Sequence, residues 1–243
     1  MVITPKVGGT KFRIIRLLEV LWKAIYRIIN CQLSSFIQFH EAHYVICAGR
    51  GTGTASLEAK LLLKLIAMRE TVLHAIFLDL CNAFDALDRE HYLDILTVYK
   101  LEPRTISILQ TYWFRLQMVA KVGGHYGPAF QSHHEITHAD SLSPIIFNMV
   151  VEAVIQHWVT VVVPPQEGTR REGLGMSVQA LSSIFYADDR LVASTKSALL
   201  QGAFNALEGL FNQMGLRKNE GKTVSMACWP CHTPHSWSTE VYT

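Results

Sequence analysis

The stretch Phe185-Tyr186-Ala187-Asp188-Asp189 lies where one apolar run, Leu181 to Ala187, meets a second, Leu191 to Ala193. Two adjacent carboxylates between two strand-like runs are the pattern of a hairpin with its acids at the turn. Neighbouring residues on a strand point to opposite faces, so both acids can approach one point only where the chain reverses. Carboxylates that close repel each other, and a divalent cation is the usual remedy. Taken alone, an Asp-Asp turn is ordinary surface chemistry. Its meaning depends on what else in the chain can join it.

Upstream, Val72 to Leu80 is a largely apolar run of strand length with Asp79 near its exit. An acid at the end of a buried strand is costly without a partner. Between the two stretches the pattern predicts a helix capped by Asp85 or Asp88, a helix from Pro103, a hairpin of Val119–Val122 with Tyr126–Phe130, and a helix over 144–158 with a Val-rich, strand-like end. Downstream it predicts a helix on Leu199, Leu200, Phe204, Leu207 and Phe211, then a final strand from Thr223 to Ala227. At the start, Lys11 to Arg16 reads as a short basic strand and Leu17 to Ile29 as an amphipathic helix. Residues 36–55 show no clear period. Their Gly49-Arg50-Gly51-Thr52-Gly53-Thr54 lacks the Gly-Lys-Ser/Thr ending of a nucleotide-binding loop, and Thr54 reads as the N-cap of the next helix.

This order closes into an antiparallel sheet with helices packed on one face, an α+β architecture. It brings the end of the Asp79 strand beside the Asp188-Asp189 turn. Three carboxylates in one cleft call for cations, and an all-oxygen donor set suits Mg²⁺. The matching chemistry is in-line phosphoryl transfer with two metals about 3.5–4 Å apart.

Composition limits the alternatives. With 49% hydrophobic residues the chain can bury a substantial core, and a net charge of +2 gives no global preference for nucleic acid. Five cysteines, at 31, 47, 81, 228 and 231, form no disulfide framework and suggest a reducing, intracellular compartment. The apolar window Ile145 to Val163 is interrupted by Asn148, Glu152, Gln156 and His157, so it reads as a buried helix rather than a membrane span, and no membrane partner is expected. His133, His134 and His138 with Asp140, and Cys228-x-x-Cys231 with His232 and His235, are zinc candidates whose spacings fit no familiar structural pattern.

Asp79-Leu80-Cys81-Asn82-Ala83-Phe84-Asp85, the tract Thr137 to Asn148, Phe185 to Asp189, and Gly215-Leu216-Arg217-Lys218-Asn219 with Lys222-Thr223 resemble successive palm motifs of reverse transcriptases. The nearest resemblance is to non-LTR (LINE-like) retrotransposon polymerases, and it runs over nearly the whole chain. It implies fingers over 1–70, palm over 71–100, a fingers or insert hairpin over 101–136 and palm over 137–243, with the thumb absent. By the same resemblance Asp79, Asp188 and Asp189 would be catalytic. The metal ligands would be these three with the Leu80 carbonyl, holding two Mg²⁺ ions that Mn²⁺ can replace. Lys6, Arg13, Phe84, His138 and Lys222 would bind the nucleotide, with Phe84 as the ring that rejects a 2′-hydroxyl. The implied partners are an RNA template, a DNA primer and deoxynucleoside triphosphates.

The chain departs from the family's Gln-Gly-Asp-Pro-Leu-Ser-Pro motif in His138-Ala139-Asp140-Ser141-Leu142-Ser143-Pro144. Arg190 follows the acids where a small or apolar residue is usual, and is expected to place a competing cation beside the metal site. Two readings follow: an RNA-directed DNA polymerase core from a truncated retrotransposon fragment, or an inactive remnant with at most non-specific nucleic-acid binding. A nucleotide cyclase on the same fold is a third, disfavoured by Phe84, Lys6 and Arg13.

Overall fold

In the computed structural model, residues 2–5, 12–15, 20–45, 49–68, 71–81, 83–87, 89–122, 124–131, 142–162, 181–187, 189–230 and 237–242 are described. In chain order the elements are β1 (Val2–Pro5), β2 (Phe12–Ile15), α1 (Val20–Phe36), α2 (Thr52–Met68), β3 (Leu73–Asp79), α3 (Ala83–Ala86), α4 (Arg89–Val98) and α5 (Pro103–Arg115). Then follow β4 (Gln117–Val122), β5 (His125–Gln131), α6 (Ser143–Val162), β6 (Ser182–Tyr186), β7 (Asp189–Ser194), α7 (Ser197–Gln213), β8 (Val224–Pro230) and β9 (Trp237–Tyr242). The expected α+β class is borne out. The chain divides into two units, residues 1–38 with 84–150 and residues 39–83 with 151–243.

The first unit holds a four-stranded sheet in the order β2-β1-β4-β5. Its helices α1, α4 and α5 meet through aromatic rings. Trp113 Nε1 donates to Tyr26 Oη at 3.0 Å, and Tyr92 packs edge-on against Trp113. A buried indole N–H needs a hydrogen-bond acceptor, and the Tyr26 hydroxyl supplies it.

The second unit holds a five-stranded sheet in the order β6-β7-β3-β8-β9, every neighbouring pair antiparallel. Register fixes its two faces. Ala75, Phe77 and Asp79 lie opposite Ala193, Leu191 and Asp189, so these share one face, while Leu78 lies opposite Arg190 on the other. On the second face Val192 and Phe185 are fully buried, and α7 packs there through Phe211 and Ala203. Trp158 of α6 packs edge-on against Phe185 and donates from Nε1 to the Ala203 carbonyl at 2.8 Å. On the first face, α2 covers the end away from the acids, where Leu62 packs with Leu73, Ala75, Ala193 and Cys228.

Several expectations need correction. The Val-rich tail of α6 stays helical to Val162, because the burial of that helix outweighs the strand preference of valine. α6 is long and apolar enough to cross a membrane, but most of that stretch is buried within the protein. Thr54 is not the N-cap, since α2 begins at Thr52, and its hydroxyl instead bonds Gly51. The last strand runs on to Pro230 and pairs with β9, which the sequence pattern did not reveal.

Candidate functional site

The hairpin forms where it was expected. β6 ends at Tyr186, β7 begins at Asp189, and Tyr186 pairs with Asp189, leaving a two-residue turn of Ala187 and Asp188. Ala187 has φ +50°, the left-handed conformation that such tight hairpin turns require. Asp188 itself lies outside the described residues.

Asp79 and Asp189 are register partners at the same end and on the same face of the sheet, so these two carboxylates are brought together. Asp79 is 17% exposed. Its Oδ2 accepts a 2.7 Å hydrogen bond from Asn219 Nδ2 and lies 3.4 Å from Lys222 Nζ, while Oδ1 has no partner among the described residues. Lys222 is 69% exposed, so this ion pair is weak and easily exchanged. Asn219 was part of a quoted motif, yet its bond to Asp79 left no sign in the spacing.

What positions Asn219 is the end of α7. Gly215, at φ +75°, closes the helix while Leu216 N–H bonds the Phe211 carbonyl and Gly215 N–H that of Asn212. Glycine takes this conformation without the strain a Cβ would cause. The chain then runs beside Leu80: Asn219 N–H bonds the Asp79 carbonyl at 2.9 Å and Cys81 N–H the Arg217 carbonyl at 2.8 Å. Because these bonds flank Leu80, its own N–H and C=O turn away from residues 217–219. The Leu80 carbonyl is therefore not spent on that segment and remains eligible as an oxygen ligand. Lys218 points elsewhere, and its pKa is raised, chiefly by the hydrogen bond to Glu208 and further by Glu220.

Arg190 corrects an expectation. It turns away from the face that carries Asp79 and Asp189: it is 2% exposed, and its guanidinium carbon lies 4.5 Å from the centre of the Phe211 ring, on the α7 side of the sheet. Strand alternation accounts for this, since Asp189 faces one way and its neighbour the other.

Arg13 lies in β2 opposite Thr4, and Phe84 lies in α3; only their backbones are described. Lys6, His138, Ala139 and Ser141 lie outside the described residues, as do His133, His134, Asp140, Cys231, His232 and His235 of the zinc candidates. Among the described residues no group of three or more His, Cys, Asp and Glu side chains is placed to hold a metal. The pair of Asp79 and Asp189 nonetheless has the hard-oxygen chemistry that Mg²⁺ prefers.

Sequence reasoning missed a buried network behind the hairpin. Glu152 Oε1 accepts from His40 N–H at 2.8 Å and Gln156 Nε2 at 2.7 Å, and Oε2 lies 3.2 Å from His43 Nδ1. Burial, the largest single influence, acts to raise the Glu152 pKa; hydrogen bonds from His43, Gln156 and His40 together bring it below the ordinary carboxylate value. Arg50 of the glycine-rich loop donates to the carbonyls of His40 and His43, so that cation has a structural use.

The profile of the family described as "Reverse transcriptase (RNA-dependent DNA polymerase)" matches residues 4–241. The "Retrovirus-related Pol polyprotein from type-1 retrotransposable element R2" of Nasonia vitripennis is 24% identical over 239 residues, covering 94% of this chain and 22% of the polyprotein. Among solved structures, telomerase from Candida tropicalis in complex with a fragment of telomeric RNA superposes with a TM-score of 0.62 at 12% identity, over 93% of this chain and 40% of that one. Candida albicans telomerase, likewise bound to telomeric RNA, gives 0.59 at 14% identity, over 85% and 34%. These superpositions bear out the expected fold. The chain spans well under half the length of each of these proteins.

Proposed function

From the premise that this chain belongs to the reverse transcriptase family, matched over residues 4–241, we propose that it is the fingers and palm core of an RNA-directed DNA polymerase of the non-LTR retrotransposon type. The observation that carries this reading is the register pairing of Asp79 with Asp189 beside the two-residue turn that bears Asp188. Mg²⁺ held by Asp79, Asp188 and Asp189 with the Leu80 carbonyl would activate the primer 3′-hydroxyl and neutralise the leaving pyrophosphate. Asn219 holds the Asp79 carboxylate by Oδ2, which would leave Oδ1 to the metal, and Lys222 would balance its charge until a substrate phosphate takes over that cation. Phe77, 44% exposed on the same face and two residues before Asp79, offers an apolar surface to the primer sugar. Phe84 would reject ribonucleotides, Lys6 and Arg13 would grip the triphosphate, and His138 would touch the incoming nucleotide. The template would be RNA, as the telomerase structures bind RNA, read mainly by the shape and backbone of the hybrid.

The test is Mg²⁺-dependent extension of a DNA primer on an RNA template, with deoxynucleotides and then ribonucleotides. Extension that stops on chelation and is abolished by Asp188→Ala supports the reading. No extension, even after His138→Gln with Ala139→Gly restores the family motif, leaves the inactive remnant as the correct description.

A further inference from the structure

Phe185 precedes the turn and is the point at which the hairpin is fastened from outside the sheet. β6 is an edge strand, and an edge strand with one neighbour can fray or slip. Here residues 42–44 lie along it: Phe185 N–H bonds the Ala42 carbonyl at 2.8 Å and Tyr44 N–H bonds the Phe185 carbonyl at 2.9 Å. That short bridge belongs to no regular element. It is fixed instead by Glu152 on α6, which holds His40 by the backbone and His43 by the ring, and by Arg50 on the carbonyls of the same two residues. His43 and Glu152 are both 1% exposed. The ring of Phe185 is gripped by Trp158, one turn and a half along the same helix.

Burying a carboxylate costs several kcal/mol, on the order of what its hydrogen bonds return, so an apolar side chain would fill the space more cheaply. What a saturated polar network provides is one geometry rather than many. We propose that Glu152 and His43 are positioning residues, which touch neither substrate nor metal but hold Phe185, and through it the Tyr186–Asp189 turn, in register with β3. The consequence for catalysis rests on the polymerase reading above. A drift of about 1 Å in reacting groups can cost roughly 100-fold in rate.

The experiment uses the full chain and compares wild type with Glu152→Ala, Glu152→Gln and His43→Asn. Amide hydrogen exchange is read at Tyr44 and Phe185, with the β8 amides as an internal control, and kcat and KM for deoxynucleotide are read by primer extension. Gln keeps an acceptor for His40 and Gln156 and turns its NH₂ toward His43, whose Nδ1 can accept once its proton moves to Nε2. Asn in place of His43 keeps a donor near Nδ1. In Glu152→Ala, exchange at Tyr44 and Phe185 rises about tenfold with β8 unchanged, and kcat falls about tenfold with KM within about twofold. Both conservative variants stay within about threefold of wild type.

Unchanged exchange at Phe185 in Glu152→Ala overturns the proposal, as does an equal rise in β8, which would mean general destabilisation. Equal damage from Glu152→Gln also overturns it, since charge rather than geometry would then matter. Should Glu152→Ala fail to fold, Gln156→Ala removes one of the bonds and carries the same test, with a rise of about threefold expected. A wild type that extends no primer defeats the polymerase reading, while the exchange data still decide whether Glu152 positions the turn.

Discussion

The two sides of the β6–β7 hairpin follow opposite plans. On the side of Asp79 and Asp189 the cover of α2 leaves Phe77 and Asp189 exposed, and among the described residues the Asp79 carboxylate has Asn219 and an exposed Lys222 against one of its oxygens. On the other side Phe185, Arg190, Val192 and Ser194 are buried, with Trp158 and Phe211 packed against the first two. A strand's period of two lets adjacent residues serve chemistry and packing separately. Substitutions one position apart should therefore act on different quantities, rate on one side and stability on the other.

The sharpest way to break this contrast is Asp79→Asn. Asn keeps an acceptor for Asn219, so thermal unfolding should barely move, while primer extension should fall on the order of 10³-fold. A matching loss of stability would show that the front is structural too. Arg190→Gly should do the reverse. It removes a buried side chain stacked on Phe211 and should cost about 3 kcal/mol or more in denaturant unfolding, with no gain in extension. Arg190→Met, which refills the space, should recover over half of that loss. If Arg190→Gly instead raises extension at unchanged stability, the cation does act on the acids.

The front was legible in the sequence because its signals are local. The apolar run ending in Asp79 and the two-residue acidic turn each declare themselves within one element. The burial of Arg190 was legible too, since alternation from Asp189 predicts it, but the charge of the side chain drew attention to the acids instead. The back was not legible. His43 meets Phe185 and Glu152 meets His40 across more than a hundred residues, and backbone and polar contacts at that separation impose no periodicity. The same holds for Asn219 and Asp79, 140 residues apart.

Acid sharpens the comparison from the back. Hydrogen bonding holds the Glu152 pKa below its ordinary 4.5. The ionised form therefore adds stability that is fully present above that value and is lost as pH falls through the lower, folded-state pKa. Denaturant unfolding between pH 5 and pH 3 should show a slope that flattens in Glu152→Gln. A smaller effect is expected of Trp158→Phe, which keeps a ring on Phe185 but loses the bond to the Ala203 carbonyl. It should cost about 1 kcal/mol, the worth of one buried hydrogen bond whose acceptor keeps its partner within α7, with extension unchanged at temperatures where the protein stays folded.

The smallest change lies at the turn, where the two sides meet. Ala187 sits at φ +50°, which costs an L-residue about 1 kcal/mol. Gly relieves that strain but adds unfolded-state freedom worth roughly 0.4–1 kcal/mol, so Ala187→Gly should leave stability within about 0.5 kcal/mol of wild type. Val is different, since a β-branched residue in that region is strained by about 1–3 kcal/mol and must distort the turn that carries Asp188. Thermal unfolding and primer extension measured together separate the outcomes. Extension should fall further than the stability loss explains, because the distortion reaches the acids before it reaches Phe185. Losses in step with each other would show that at this residue the front cannot be altered without the back.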